Sequence, residues 1–118
     1  MALAAKIAIA LVALLHVWFA VIEMFLWDKP YGRRAFGLTP EFATASKALA
    51  ANQGLYNLFL AAGLAWGLAP GPDAGAVRLF FLGCVIVAGV FGAFTASRKI
   101  LFVQALPGAI ALGLVIAA

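Results

Sequence analysis

Charged residues are scarce in this 118-residue chain, and their scarcity excludes an ordinary soluble domain. Charged side chains make up 10% of the sequence and hydrophobic ones 67%. Soluble domains contain about 25% charged and about 45–50% apolar residues. The composition therefore predicts a membrane protein. A chain this short has no room for a separate soluble domain, so we expect a single integral membrane domain over residues 1–118.

Cysteine and histidine are rarer still, with one of each, Cys84 and His16. A lone cysteine excludes a disulfide framework within the chain. A lone histidine with no second ligand at metal-binding spacing disfavours a protein metal site, and we expect neither a metal nor another cofactor. In a soluble protein the net charge of +4 would suggest nucleic acid. Membrane topology explains this charge better, and no nucleic-acid partner is expected.

Apolar residues are plentiful, and they form four runs that each approach the 20 or so residues needed to cross a bilayer. The first run is too long for a signal peptide and contains His16 and Glu23, which argues against a cleaved leader. Asp73 is predicted to cap the third run. The predicted fold is all-α, a bundle of four transmembrane helices spanning residues 7–27, 48–69, 76–96 and 100–118.

Basic residues are distributed unequally among the loops that separate these spans. Two of them, Lys6 and Arg78, lie on one side of the predicted membrane. Because positively charged loops stay in the cytoplasm, we expect a multi-pass protein of the bacterial inner membrane with both termini outside. Membrane lipids are the expected partners, and the basic residues of the first loop either contact anionic headgroups or only set the topology. The six basic residues of the cytoplasmic loops are Lys29, Arg33, Arg34, Lys47, Arg98 and Lys99.

The first loop also contains a helix start. Thr39 is suited to the N-cap, Pro40 to the first helical position and Glu41 to the first turn. We therefore expect a helix that begins near Thr39 and continues into the second span, so that the second helix extends into the cytoplasm.

Polar side chains interrupt the apolar runs mainly in the half of the membrane nearest the cytoplasm. At 1.5 Å per residue, Glu23 lies about 6 Å from the inner face, Asn57 about 13 Å and His16 about 16 Å. Polar groups in hydrocarbon need partners. We therefore predict that one inner-leaflet pocket gathers His16, Glu23, Asn52, Gln53, Asn57 and Gln104.

Helical spacing supports this gathering. His16 and Glu23 are seven residues apart and are expected to share a face, as are Gln53 and Asn57, which are four apart. Pro107 is expected to free a backbone carbonyl one turn earlier, close to Gln104.

Three classes of function stay open on this reading. The first, and our best prediction, is a small-molecule binder or transporter with Glu23 as the charged contact. A chain this small would transport only as an oligomer, although Gly63-x-x-x-Gly67 is weak evidence for a homodimer. The second is a structural or accessory protein without a ligand. The third is a membrane enzyme for a lipid or quinone-like substrate, with Glu23 or His16 as acid or base; no catalytic residue can be assigned.

Three segments of the chain are similar to those of a known family. They are H-x6-E-M-F at 16–25, FGLTPEF at 36–42 and KALAANQGLYN at 47–57. With them the chain resembles, over essentially its whole length, a family of small four-span bacterial membrane proteins classed as a domain of unknown function, number 1304. The resemblance implies an integral membrane protein with four helices. It implies no established activity, so no functional residue is transferred from it.

Overall fold

Every regular element of the chain is helical over residues 1–117, the part that the computed structural model describes. This confirms the all-α prediction for the described residues. In two places the helical path widens into a π-helical turn, at Ile22–Leu26 and at Leu101–Ala105. The α-helices are α1 Leu3–Val21, α2 Pro30–Phe36, α3 Pro40–Ala45, α4 Lys47–Leu68, α5 Ala74–Thr95 and α6 Leu106–Ala117.

Two helical segments are long and apolar enough to cross a membrane, Leu3–Leu26 and Ala74–Thr95. The 22 residues of α4 cover about 33 Å, but the amides of Asn52, Gln53 and Asn57 make this helix less apolar. The last apolar stretch, Leu101–Ala117, is shorter than a typical span. The helix boundaries agree with the predicted spans within a few residues, whereas crossing by all four stays a prediction.

The predicted helix start in the first loop is confirmed. The Phe42 amide donates to Thr39 Oγ1 at 3.1 Å, and Pro40 begins α3. The expected continuation as one unbroken helix is wrong, because the path is interrupted at Ser46. The Ser46 hydroxyl donates to the carbonyl of Phe42 at 2.6 Å, and a serine bonded in this way bends a helix. The predicted cytoplasmic extension of the second span is therefore a separate short helix, α3, which is connected to α4 through Ser46.

The turn between α4 and α5 differs from its prediction in one detail. Asp73 precedes α5, but its side chain makes no capping hydrogen bond. Arg78 instead reaches back from α5, and its Nε donates to the carbonyl of Gly67 at 2.7 Å. This bond satisfies one of the carbonyls that the last turn of α4 leaves without a helical partner.

The helices are divided between two compact units. A terminal unit contains Met1–Leu14 and the chain from Leu60 onward, and a central unit contains Leu15–Phe59. The central unit therefore holds the end of α1, the first loop with α2 and α3, and the start of α4. The core of the terminal unit is formed by Ile9, Val12, Leu64, Leu82, Val85 and Ala111.

Glycines bring the helices of the terminal unit into close contact. A Cβ built at Gly63 would overlap the ring of Phe81, and one at Gly89 would lie 2.7 Å from the backbone nitrogen of Ala105. Gly63 and Gly67 are both buried, so the Gly63-x-x-x-Gly67 face is used inside the chain. Small residues allow such approaches between helix backbones.

The second π-helical turn lies directly before Pro107. The Leu106 amide donates to the carbonyl of Leu101, five residues earlier. A proline inside an α-helix clashes with the carbonyl four residues before it, and the wider turn relieves this clash. The predicted local disturbance at Pro107 therefore takes the form of a π turn.

Two glycines of α5 provide a matched test of the packing. We expect Gly89→Ala to lower the free energy of unfolding by about 1–3 kcal/mol, because the added methyl group meets backbone atoms. We expect Gly83→Ala to be neutral or stabilising by up to about 1 kcal/mol, because nothing lies within 4 Å of its Cβ position. Thermal unfolding in detergent measures both, and equal effects would contradict the close contact at Gly89.

Candidate functional site

A buried hydrogen bond joins α4 to the first π-helical turn, which continues α1. Asn57 Nδ2 donates to Glu23 Oε1 at 2.6 Å. The two residues are 34 positions apart in the sequence, and they are only 6% and 8% exposed. The structure thus brings together two of the six predicted site residues.

Gly54 makes this contact possible. A Cβ at Gly54 would lie 2.5 Å from Met24 Cγ and 3.2 Å from the carbonyl oxygen of Ala20. The start of α4 therefore crosses the end of α1 at very short range. Asn57 lies three residues further along α4, on the same helix face as Gly54, and this places its amide beside Glu23.

Two further links join the same two segments of the central unit. Trp27 Nε1 donates to Ser46 Oγ at 3.0 Å, and Lys47 Nζ lies 3.1 Å from Asp28 Oδ2. The hydrogen bond and charge of Lys47 lower the pKa of the Asp28 carboxyl. This is the one ion pair found in residues 1–117. Asp28 therefore has a cationic partner, whereas Glu23 has a neutral amide.

Glu23 itself belongs to the π-helical turn Ile22–Leu26. Such turns are rare in proteins and occur frequently at functional sites. Nothing in the apolar sequence of this segment signals the turn, so sequence reasoning missed it. Gln104 also lies in a π-helical turn, for which Pro107 was the available signal.

Of Gln53 and Asn57, which are predicted to share a face of α4, only Asn57 is buried, and a binding role for Gln53 stays a prediction. Asn52 and Gln53 are both exposed. One row of buried positions on α4 recurs every three or four residues, at Ala50, Gly54, Asn57, Ala61 and Leu64. Gln53 lies beside this row, because the contact face is centred on Gly54.

His16 of α1 and Glu23 of the π-helical turn that continues it are both buried. That they share one face stays a prediction. His16 is fully buried, and its ring packs edge-on against Phe19 with the centroids 5.5 Å apart. Gln104 belongs to the terminal unit, where its Nε2 donates to the carbonyl of Val85 at 3.1 Å. The Gln104 amide is therefore engaged by α5, and a pocket shared by all six residues stays a prediction.

The chemistry of the Glu23–Asn57 pair is that of a carboxyl group with one neutral donor. Asn57 orients the carboxyl but supplies no charge to balance it. Among the described residues no group of three His, Cys, Asp or Glu side chains could hold a metal ion. The arrangement is suited to exchanging a proton or receiving a cation.

The fold and this site define an all-helical protein with two helices able to cross a membrane and a buried carboxyl group that has no cationic partner within residues 1–117. A family model described as Protein of unknown function (DUF1304) matches residues 10–116. The chain therefore belongs to the DUF1304 family, which confirms the resemblance found in its sequence. Neither the comparison with curated proteins nor that with solved structures returned a match.

The two asparagines of α4 test the buried bond. We expect Asn57→Ala to lower the free energy of unfolding by about 1–3 kcal/mol, since it leaves the Glu23 carboxyl without its donor. Asn52→Ala, at an exposed position five residues earlier, should change it by no more than about 0.5 kcal/mol. Thermal unfolding in one detergent measures both variants. A loss at Asn52 as large as that at Asn57 would show that the bond is not what stabilises this crossing.

Proposed function

We propose that the protein is an integral membrane protein that binds or transports a small cationic molecule, with Glu23 as its charged contact. The observation that carries this proposal is the buried Glu23 carboxyl, which accepts a hydrogen bond from Asn57 and has no lysine or arginine paired with it in residues 1–117. Ionisable residues inside membranes are costly, and they typically mark ion, proton or substrate sites.

The cost of a buried charge explains why a cation is the expected ligand. An ionised carboxylate in a low-dielectric environment is unfavourable unless a counter-charge compensates it. Asn57 donates a hydrogen bond but leaves the charge in place. The missing charge can come from a proton or from a bound cation, and competition between the two is the physical basis of proton-coupled binding.

A structural role is the second candidate, and the bond length favours it. Asn57 Nδ2 and Glu23 Oε1 are in direct contact at 2.6 Å, so no ligand fits between these two atoms. The pair would then act as a clasp between α1 and α4. A clasp explains the hydrogen bond, but a neutral glutamine at position 23 would form the same bond.

The geometry in residues 1–117 adds nothing to the enzyme hypothesis.

The variant Glu23→Gln separates these roles, with tetraphenylphosphonium as a lipophilic cationic probe. We expect the wild-type protein in detergent to bind the probe more tightly as the pH rises, because cation and proton compete for one carboxyl. Glu23→Gln should weaken binding at least tenfold and leave the melting temperature nearly unchanged, since glutamine still accepts the bond from Asn57. Isothermal titration calorimetry and thermal unfolding provide the two readouts.

The matched control is Glu41→Gln, which removes an exposed carboxyl from the first loop and should leave binding unchanged. Absence of probe binding by the wild type, together with a lower melting temperature for Glu23→Leu than for Glu23→Gln, would favour the clasp.

We further propose that all four long helical segments cross the bacterial inner membrane, with both termini outside. The length of α4 and the excess of basic residues in the first and third loops support this arrangement. Arg78 lies on the side of the membrane proposed to have fewer basic residues. Its bond to the carbonyl of Gly67 gives it a structural role at the end of α4. A path for a transported molecule would require a homo-oligomer, since four helices enclose little space.

Two exposed alanines test this topology in a Cys84→Ala background. We expect a membrane-impermeant maleimide to label Ala69→Cys in intact spheroplasts and to label Ala35→Cys only after the membrane is permeabilised. Ala69 follows α4 and Ala35 lies in α2, and both are exposed. The reverse labelling pattern would show that the orientation is inverted. Labelling of both sites in intact spheroplasts would show that α4 does not cross the membrane.

A further inference from the structure

We propose that α2 is an interfacial helix that binds the headgroups of anionic phospholipids. The binding surface, called here the α2 basic surface, consists of Lys29, Tyr31, Arg33 and Arg34. The inference rests on the membrane placement proposed above and is independent of any ligand at Glu23.

The depth of α2 relative to α1 is the first argument. The rings of Tyr31 and Trp18 meet edge-on with centroids 5.9 Å apart. Trp18 lies eight residues before Leu26, the end of the candidate span, and eight residues correspond to about 12 Å of helix. The chain therefore turns back after Leu26. The Tyr31 ring extends from α2 toward Trp18, while Gly32 holds the α2 backbone beside Leu26, the end of the candidate span.

Glycine fixes α2 in this position. A Cβ at Gly32 would overlap the carbonyl oxygen of Leu26, so α2 packs backbone to backbone against the end of the π-helical turn that continues α1. On the same side, the rings of Trp27 and Phe36 are 5.0 Å apart. Gly37 then ends the helix with a φ of 65°, a left-handed conformation that glycine adopts at little cost. A helix held in this way presents its remaining side chains at a constant depth.

Those remaining side chains are basic and aromatic. Lys29 and Arg34 are exposed and form no ion pair within residues 1–117. Arg33 is half-buried and donates to the carbonyl of Asp28 at 3.4 Å. Tyr31 is 46% exposed, and tyrosine is typical of the membrane–water interface.

Nearby acidic groups cancel only part of this charge, although Lys29 acts on the Asp28 carboxyl. The Asp28 carboxylate is paired with Lys47, and Glu41 lies in α3, beyond the turn at Gly37. Basic residues next to a membrane attract anionic lipid. A polyanion in solution would need an open approach from water, whereas α2 lies alongside the candidate span. This geometry favours a lipid headgroup over a soluble acidic partner.

The test compares two double variants of equal charge change in neutral detergent. We expect phosphatidylglycerol to raise the melting temperature of the wild type more than phosphatidylcholine does. The apparent affinity follows from the dependence of this shift on lipid concentration. Lys29→Gln/Arg34→Gln should weaken phosphatidylglycerol binding by about fivefold for each charge removed. The control double variant in the third loop, Arg98→Gln/Lys99→Gln, should bind phosphatidylglycerol like the wild type. The charge-conserving double variant Lys29→Arg/Arg34→Lys should also bind it like the wild type.

Equal weakening by the two double variants would overturn the site, since any basic loop would then act alike. An equal stabilisation by inorganic phosphate at the same concentration would also overturn it, because the surface would be a general anion site. Alkaline carbonate washing of membranes tests the shared premise. Retention of the wild type supports membrane placement, whereas its release would overturn both this inference and the proposed function.

Discussion

The hydrogen bond between Asn57 and Glu23 sets a strict requirement on the central unit, because a bond of 2.6 Å forms only if α1 and α4 cross at short range. Gly54 meets this requirement by removing the side chain that would otherwise meet Met24 and Ala20. The links from Trp27 to Ser46 and from Asp28 to Lys47 then continue the contact toward the loop. The burial of Glu23 is thus a consequence of the crossing and not of the local sequence alone.

The chemistry of helices explains why Glu23 differs from the other polar side chains. The donors of Ser46, Arg78 and Gln104 each bond a backbone carbonyl, and carbonyl oxygens can accept a second hydrogen bond even within a helix. A carboxylate accepts only, and helical N–H groups are already engaged. A buried glutamate therefore needs a side-chain donor, a proton or a ligand. Asn57 provides the first of these and leaves the charge to be balanced by one of the others.

Sequence reasoning predicted the helices of this chain well, but it located the contact face of α4 less well. Long apolar runs and the Thr39–Pro40 start are local signals, and the structure follows them. The exposure of Gln53 was not predicted, because both faces of an apolar helix look alike in sequence, and the amide pattern alone does not show which face contains the contact. Gly54 was the signal that could have decided it, since a glycine between Asn52 and Asn57 marks a close approach.

The π-helical turn at Glu23 and the partner of Gln104 were beyond prediction for another reason. A π turn depends on the packing of neighbouring segments rather than on the residues within it, although a following proline, as at Pro107, makes one more favourable. The backbone carbonyl of Val85 that accepts from Gln104 carries no side-chain signature at all. Glu23 and Asn57 could be chosen as candidate site residues because polar side chains are rare in the apolar runs of this sequence. Their pairing could be seen only in the three-dimensional structure, where α4 crosses the end of α1.

The geometry of the Glu23–Asn57 bond is compatible with both protonation states of the carboxyl. A carboxylate oxygen accepts a hydrogen bond from Asn57 Nδ2, and so does the carbonyl oxygen of the neutral acid. Loading or releasing a proton therefore leaves the contact between α1 and α4 in place. The other acidic residues behave differently, since Asp28 is paired with Lys47 while Glu41 and Asp73 are exposed. Among the four acidic side chains, Glu23 is thus the one that is buried and has no cationic partner within residues 1–117, and these are the two features on which the proposed cation site rests.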